Sequence, residues 1–130
     1  MTVQQWVDAY AMAWAERDAE AAAALFAGGA SYRDHPLKEA HVGQAGVTAY
    51  WNEVTATQDR VDVRMGAPIE SEDGRRAAVE FWVRMLSSGA EVAVMGILFL
   101  RFDDSGLCED LREAWFFEPG DHAPHPGWGA

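Results

Sequence analysis

Residues 79–102 read VEFWVRMLSSGAEVAVMGILFLRF, and the rest of the chain is organised around this stretch. Its second half, AVMGILFL over 93–100, carries no polar side chain. Residues 76–85 feed into it through Ser87, Ser88 and Gly89, which have the chemistry of a hairpin loop. An antiparallel strand that is apolar at odd and even positions alike needs cover on both faces. In a chain of 130 residues the amphipathic N-terminal helices are expected on one face. A second subunit or a satellite cluster would cover the other.

Upstream of the hairpin the pattern is helical. Thr2 and Gln5 form a capping box, after which Val3, Trp6, Val7, Tyr10, Ala13 and Trp14 recur at helical spacing. Asp18 is placed to cap a second helix running through Phe26, with Gly28 and Gly29 as its stop. A short strand over 30–34 is halted by His35 and Pro36, and 38–42 is a loop. Val47, Tyr50, Trp51 and Val54 mark a third helix over 44–54. After Thr57 the period becomes two, with Val61, Val63 and Met65 facing one way and Arg60, Asp62 and Arg64 the other. SEDG at 71–74 and DDSG at 103–106 are turns. The last strand, 107–117, sets Leu111, Glu113 and Trp115 against Arg112, Ala114 and Phe116. Residues 118–130 form a Pro- and Gly-rich tail without regular structure. Helices followed by a meander of strands predict a single α+β domain over 1–130, with a pocket between the layers as the default site.

Composition narrows the function. A hydrophobic share of 49% is that of a globular chain, and a formal net charge of -11 repels phosphate backbones and anionic lipid. Neither nucleic acid nor a membrane is expected as a partner. The lone Cys108 allows no internal disulfide, and no signal peptide or long apolar run is present, so a cytoplasmic protein is expected. His35, His41, His122 and His125 match no zinc spacing, and no Gly-Lys-Ser/Thr follows the glycines at 28, 29, 43 and 46. No metal and no cofactor is therefore expected.

ALFAGGASYRD at 24–34, followed by Gly43 and a helix ending in Tyr50 and Trp51, resembles the nuclear transport factor 2-like superfamily. That group includes SnoaL-like polyketide cyclases, ketosteroid isomerase and limonene epoxide hydrolase. The resemblance spans nearly the whole chain. It implies a cone-shaped fold with N-terminal helices packed on a curved, mostly antiparallel sheet, and a homodimer that binds a small apolar molecule. Aligned without gaps on the isomerases, Tyr10 falls at the oxyanion-donating tyrosine and Asp34 at the carboxylate that shuttles a proton beside a carbonyl. The same alignment puts Leu98 where the isomerases keep a second oxyanion donor, and Trp51 where they keep a supporting tyrosine. It also sets Phe81, Val83, Met85 and Trp115 on the pocket wall, with Trp14 and Trp51 beside them. Glu113 stands where the isomerases have a small residue, whereas limonene epoxide hydrolase has an acidic residue in its last strand.

Each candidate also has a structural alternative. Asp34 can cap the turn at His35 and Pro36, Tyr10 can be a core aromatic, and Glu113 can pair with an arginine such as Arg101. If Asp34 and Glu113 share the pocket, their titrations couple and one of them holds a proton near neutral pH. The expected function is then general acid–base chemistry, an isomerase or cyclase with Asp34, Tyr10 and Glu113 as its catalytic residues. An epoxide hydrolase using Glu113 and a non-catalytic binding module are the alternatives. Glu80 and Arg84, on the face of Trp82, are expected as an outward ion pair or a dimer contact, and that face, with Phe116, as the dimer surface.

Overall fold

A computed structural model describes all 130 residues. Three helices, α1 (Val3–Ala15), α2 (Ala19–Ala23) and α3 (Gly43–Thr55), cover one face of a curved sheet that does not close. Its strands are β1 (Phe26–Arg33), β2 (His41–Val42), β3 (Gln58–Met65), β4 (Ile69–Glu70), β5 (Arg76–Ser87), β6 (Ala90–Phe102) and β7 (Cys108–Pro119). They lie in the order β2-β1-β7-β6-β5-β3, with β4 on β5. All pairings are antiparallel except β1 with β7. No helix is long and apolar enough to cross a membrane.

The β5–β6 hairpin is the spine. Ser88 and Gly89 alone connect the strands, at φ 48° and 82°, the doubly left-handed turn whose twist suits a two-residue hairpin. Register then runs unbroken from Ser87↔Ala90 to Arg76↔Arg101. One face of β6 (Val92, Leu98, Leu100 and Phe102) is buried in the core under the helices. There Trp6 stacks on Tyr10 at 5.0 Å and meets Phe26 and Phe102 edge-on. The predicted capping box is present, with Gln5 N donating to Thr2 Oγ1 at 3.1 Å and Thr2 N to Gln5 Oε1 at 2.8 Å.

At Gly96 the sheet has no room for a side chain. A Cβ there would lie 2.1 Å from the Ala114 carbonyl oxygen and 2.8 Å from Trp115 Cα. The glycine lets β7 approach β6 closely where Gly96 pairs with Trp115, two pairs along from Leu98↔Glu113 and so on the same face.

The second helix is shorter than expected, and Phe26 belongs to β1. Ala19–Ala23 offers only small side chains to the core, whereas Leu25 and Phe26 find stronger partners. The Trp6 indole donates to the Leu25 carbonyl at 2.9 Å, Cys108 N donates to the same oxygen, and Phe26 pairs with Cys108. Gly28 and Gly29 accordingly do not stop a helix. They sit in the irregular stretch of β1 where its register with β7 shifts between Phe26 and Ser31. Part of the expected 38–42 loop, His41–Val42, forms β2 against Ser31 and Tyr32.

The tail folds back over the outer face of the sheet. Arg84 makes a two-pronged bond to Asp121 (2.7 and 2.8 Å) rather than pairing with Glu80. Trp82 Nε1 donates to the His122 carbonyl at 2.7 Å, and the Trp82 ring meets Trp128 edge-on at 6.0 Å. Ala67 N closes the strap on the Gly129 carbonyl at 2.7 Å. Trp82 is thus covered by its own chain, while Ile97, Phe99 and Phe116 stay exposed on the β6–β7 half of that face.

Candidate active site

Parallel pairing of β1 with β7 assembles the polar end of the site. Tyr32 lies opposite Leu111 and Arg33 opposite Arg112, after which β1 leaves the sheet and Asp34 stands beside Glu113. Period-two alternation sends Tyr32 and Asp34 to the same side. Glu113 accepts the Tyr32 hydroxyl proton at 2.5 Å, and Tyr32 and Tyr10 hydroxyls lie 3.1 Å apart. Tyr32 has one proton and gives it to Glu113, so Tyr10 is the donor to Tyr32.

Burial pushes the Glu113 carboxyl up to about 7, the Tyr32 hydrogen bond opposes that shift, and the Asp34 charge adds to it. The Tyr10 and Tyr32 hydroxyls are held well above the usual range, first by burial and then by the Glu113 charge. Tyr50 is raised by burial and by both carboxylates. All three tyrosines therefore remain donors near neutral pH. The Tyr50 ring packs on Tyr32 at 4.8 Å and on His41 at 4.4 Å, and His41 Nε2 lies 3.7 Å from Asp34 Oδ1.

The structural alternatives for the carboxylates are not what is found. The turn after Asp34 is capped by His35, whose Nδ1 accepts from Leu37 N at 3.1 Å. Asp34 is fixed through its backbone, where Trp115 Nε1 donates to its carbonyl at 2.8 Å. Arg101 bonds Glu109 at 2.8 Å rather than Glu113. Cys108 is buried, its thiol pushed up to about 12 by desolvation, and makes a weak 3.4 Å contact with the Asp110 carbonyl.

Asp34, Glu113, Tyr32 and Tyr50 border a cleft of about 350 Å³ between the helices and the sheet. Of the expected wall residues, Trp14, Trp51, Phe81, Met85 and Trp115 line it. Val83 and Leu98 are fully buried in the core and do not reach it. Tyr10 also lies behind the wall, packed edge-on against Trp14 and Trp51, and its hydroxyl reaches the cleft through Tyr32. Lining residues that the sequence did not single out are Tyr32, Lys38, Tyr50, Val54, Thr57, Gln58, Ser87, Val94 and Phe117. For Tyr32 the available signal was its spacing of two from Asp34. In the wall, Trp14 Nε1 donates to Gln58 Oε1 at 3.1 Å, whereas Trp51 Nε1 is the one buried side-chain polar atom without a partner. A broader hollow of about 800 Å³ shares Asp34, Glu113 and Trp115 with the cleft and runs out over Ile97 and Phe116. The two meet where β7, no longer paired with β1, is an open edge. An arrangement with one proton-holding carboxyl, a second carboxylate and hydroxyl donors at one end of an apolar cleft is suited to moving a proton on a small molecule.

The fold matches the epoxide hydrolase/cyclase-like enzyme SalBIII, which acts in pyran ring formation in the polyether salinomycin, with a TM-score of 0.78 and 19% identity. That match covers 90% of this chain and 95% of SalBIII. A protein with a ketosteroid isomerase-like fold from Catenulispora acidiphila DSM 44928, solved with trimethylamine, matches at TM-score 0.75 and 22% identity, over 88% of this chain and 86% of its own. The Δ5-3-ketosteroid isomerase from Mycobacterium sp. matches at TM-score 0.72 and 21% identity, over 88% and 97%. No curated protein matches at the sequence level. The SnoaL-like domain family matches residues 3–109, a span that includes Tyr10 and Asp34 and stops short of Glu113. Because that span takes in all three helices and the sheet as far as the start of β7, the chain belongs to the SnoaL-like domain family.

Proposed function

We propose that the protein is a small-molecule enzyme that moves a proton next to a carbonyl in the apolar cleft. Asp34 takes the proton from the substrate carbon, and the electron pair of the broken C–H bond passes to the carbonyl oxygen as an enolate. The Tyr50 hydroxyl is the donor to the enolate oxygen at the cleft surface, while Tyr32, with Tyr10 donating to it from behind, uses its own proton to hold the Glu113 carboxyl in place. Glu113, protonated below about pH 7, delivers a proton to the enolate, and solvent exchange resets the pair. The observation that carries this reading is the half-buried Glu113 carboxyl beside Asp34 in one cleft, an arrangement that supports one group as proton donor and the other as acceptor.

A second reading has Glu113 as the base that activates water on an epoxide, favoured by the short Tyr32–Glu113 bond, which orients the carboxyl. Rates of wild type, Asp34→Asn and Glu113→Gln on enones and epoxides across pH separate the two. Loss of enone turnover in Asp34→Asn is expected. Unchanged rates in Asp34→Asn with loss in Glu113→Gln assign the hydrolase reading, and indifference to both changes leaves a binding module. The proposal extends to a cytoplasmic homodimer joined through Ile97, Phe99 and Phe116, the apolar part of the outer face that the tail leaves open. A monomer in light scattering at micromolar concentration refutes the dimer.

A further inference from the structure

We infer that Gln58 is a specificity-determining residue that donates a hydrogen bond to an acceptor oxygen at the far end of the ligand. The substrate class follows: a neutral, rigid, apolar molecule with oxygen functions at both ends. This rests on the cleft being a small-molecule site.

The amide of Gln58 is oriented by chemistry. An indole N–H only donates, so the Trp14 Nε1 contact at 3.1 Å fixes which end of the amide is the oxygen. The Nε2 group is left with two donors and no hydrogen bond inside the chain, and Gln58 lines the cleft. The backbone here is anchored as well. Arg17 Nη1 donates to the Gln58 carbonyl at 2.7 Å, and Gln58 pairs with Ser87 at the start of β3.

Gln58 and the carboxylates sit at opposite sides of the sheet. Four strand-to-strand steps separate β1 from β3, on the order of 15–20 Å along the surface and less across its concave side. Phe81, Met85 and Val94 form the apolar floor between them, with Trp51 and Val54 of α3 opposite. One pole of the cleft therefore presents carboxylates and tyrosine hydroxyls, and the other an amide donor. Arg17, the cation next to Gln58, is already committed to backbone and to Asp59 at 3.8 Å. A ketone, ester or ether oxygen suits the far pole better than an anion.

The test uses matched ligands on two rigid phenol frames, naphthalene and biphenyl, each bearing an acetyl or an isopropyl group at the far end. The two groups have the same shape and differ in the acceptor. Binding is read from quenching of the cleft tryptophans, confirmed by calorimetry. Wild type is expected to prefer acetyl over isopropyl by about tenfold on the frame that spans the cleft. Gln58→Glu keeps the acceptor for Trp14 and removes the donor, and Gln58→Met removes both without adding charge. Both variants are expected to lose the acetyl preference, while Gln58→Met retains isopropyl binding within about threefold. Equal binding of the two ligands to wild type, or a preference surviving in both variants, overturns the role of Gln58 and leaves the cleft intact. Failure of every ligand to bind wild type overturns the small-molecule site and this inference with it.

Discussion

Replacing Glu113 by Gln tests the electrostatics of the site without asking for a substrate. Desolvation pushes the half-buried carboxyl up to about 7 in the folded chain against an ordinary 4.5, so between those values the folded state holds a proton that the unfolded state has lost. The contribution of Glu113 to stability must fall as pH rises through this window and level off above about 7. The gap corresponds to about 3 kcal/mol. Gln fills the same volume, keeps an oxygen to accept from Tyr32, and has no proton to lose. Urea unfolding of both proteins from pH 4.5 to 8.5 gives the difference directly, with contributions from other groups cancelling. The two should be nearly equal at pH 4.5, and Gln should be the more stable by about 2–3 kcal/mol at pH 8.5. A difference that does not change with pH, or one in which wild type gains as pH rises, refutes the buried, proton-holding carboxyl.

Tyr32→Phe removes the one hydrogen bond that lowers the Glu113 pKa, so its carboxyl should titrate above about 7 by carbon-13 NMR; a fall contradicts the assignment. Gly96→Ala drives a Cβ into the Ala114 carbonyl and should lower stability by more than about 2 kcal/mol in urea unfolding, whereas an unchanged midpoint contradicts the close β6–β7 approach. Arg84→Ala frees Asp121 and should make the tail a preferred site of limited proteolysis, with the core intact by mass spectrometry.

The hairpin and the first helix were legible because their signals are local. A capping box, a heptad-like aromatic stripe and a two-residue glycine turn each act within a few residues. The α2–β1 boundary was not, because alanines and paired glycines are ambiguous until Leu25 and Phe26 are seen bonded to Trp6 and Cys108. Asp34 could be named through the resemblance to the isomerases, and Glu113 through its apolar flanks Leu111 and Trp115 together with the resemblance to limonene epoxide hydrolase. The Tyr10–Tyr32–Glu113 chain could not, since it depends on a parallel pairing between strands about 80 positions apart, for which the sequence carries no marker. The resemblance to the isomerases implies pocket positions for Val83 on the wall and for Leu98 where that family keeps an oxyanion donor. Their part of the sheet is deeper than the cleft, and both are sealed beneath it. Gln58 was overlooked because a glutamine opening a strand is unremarkable until an indole is found holding its oxygen.

The most direct test of the proposed chemistry is deuterium incorporation at the carbon beside the carbonyl of small cyclic ketones and enones in heavy water, followed by proton NMR. Wild type should accelerate exchange at pH 6–7, and Asp34→Asn should slow it by about 100-fold or more while ligand binding persists. Exchange that is no faster with wild type than with Asp34→Asn, for ligands that both proteins bind, would contradict proton transfer by Asp34.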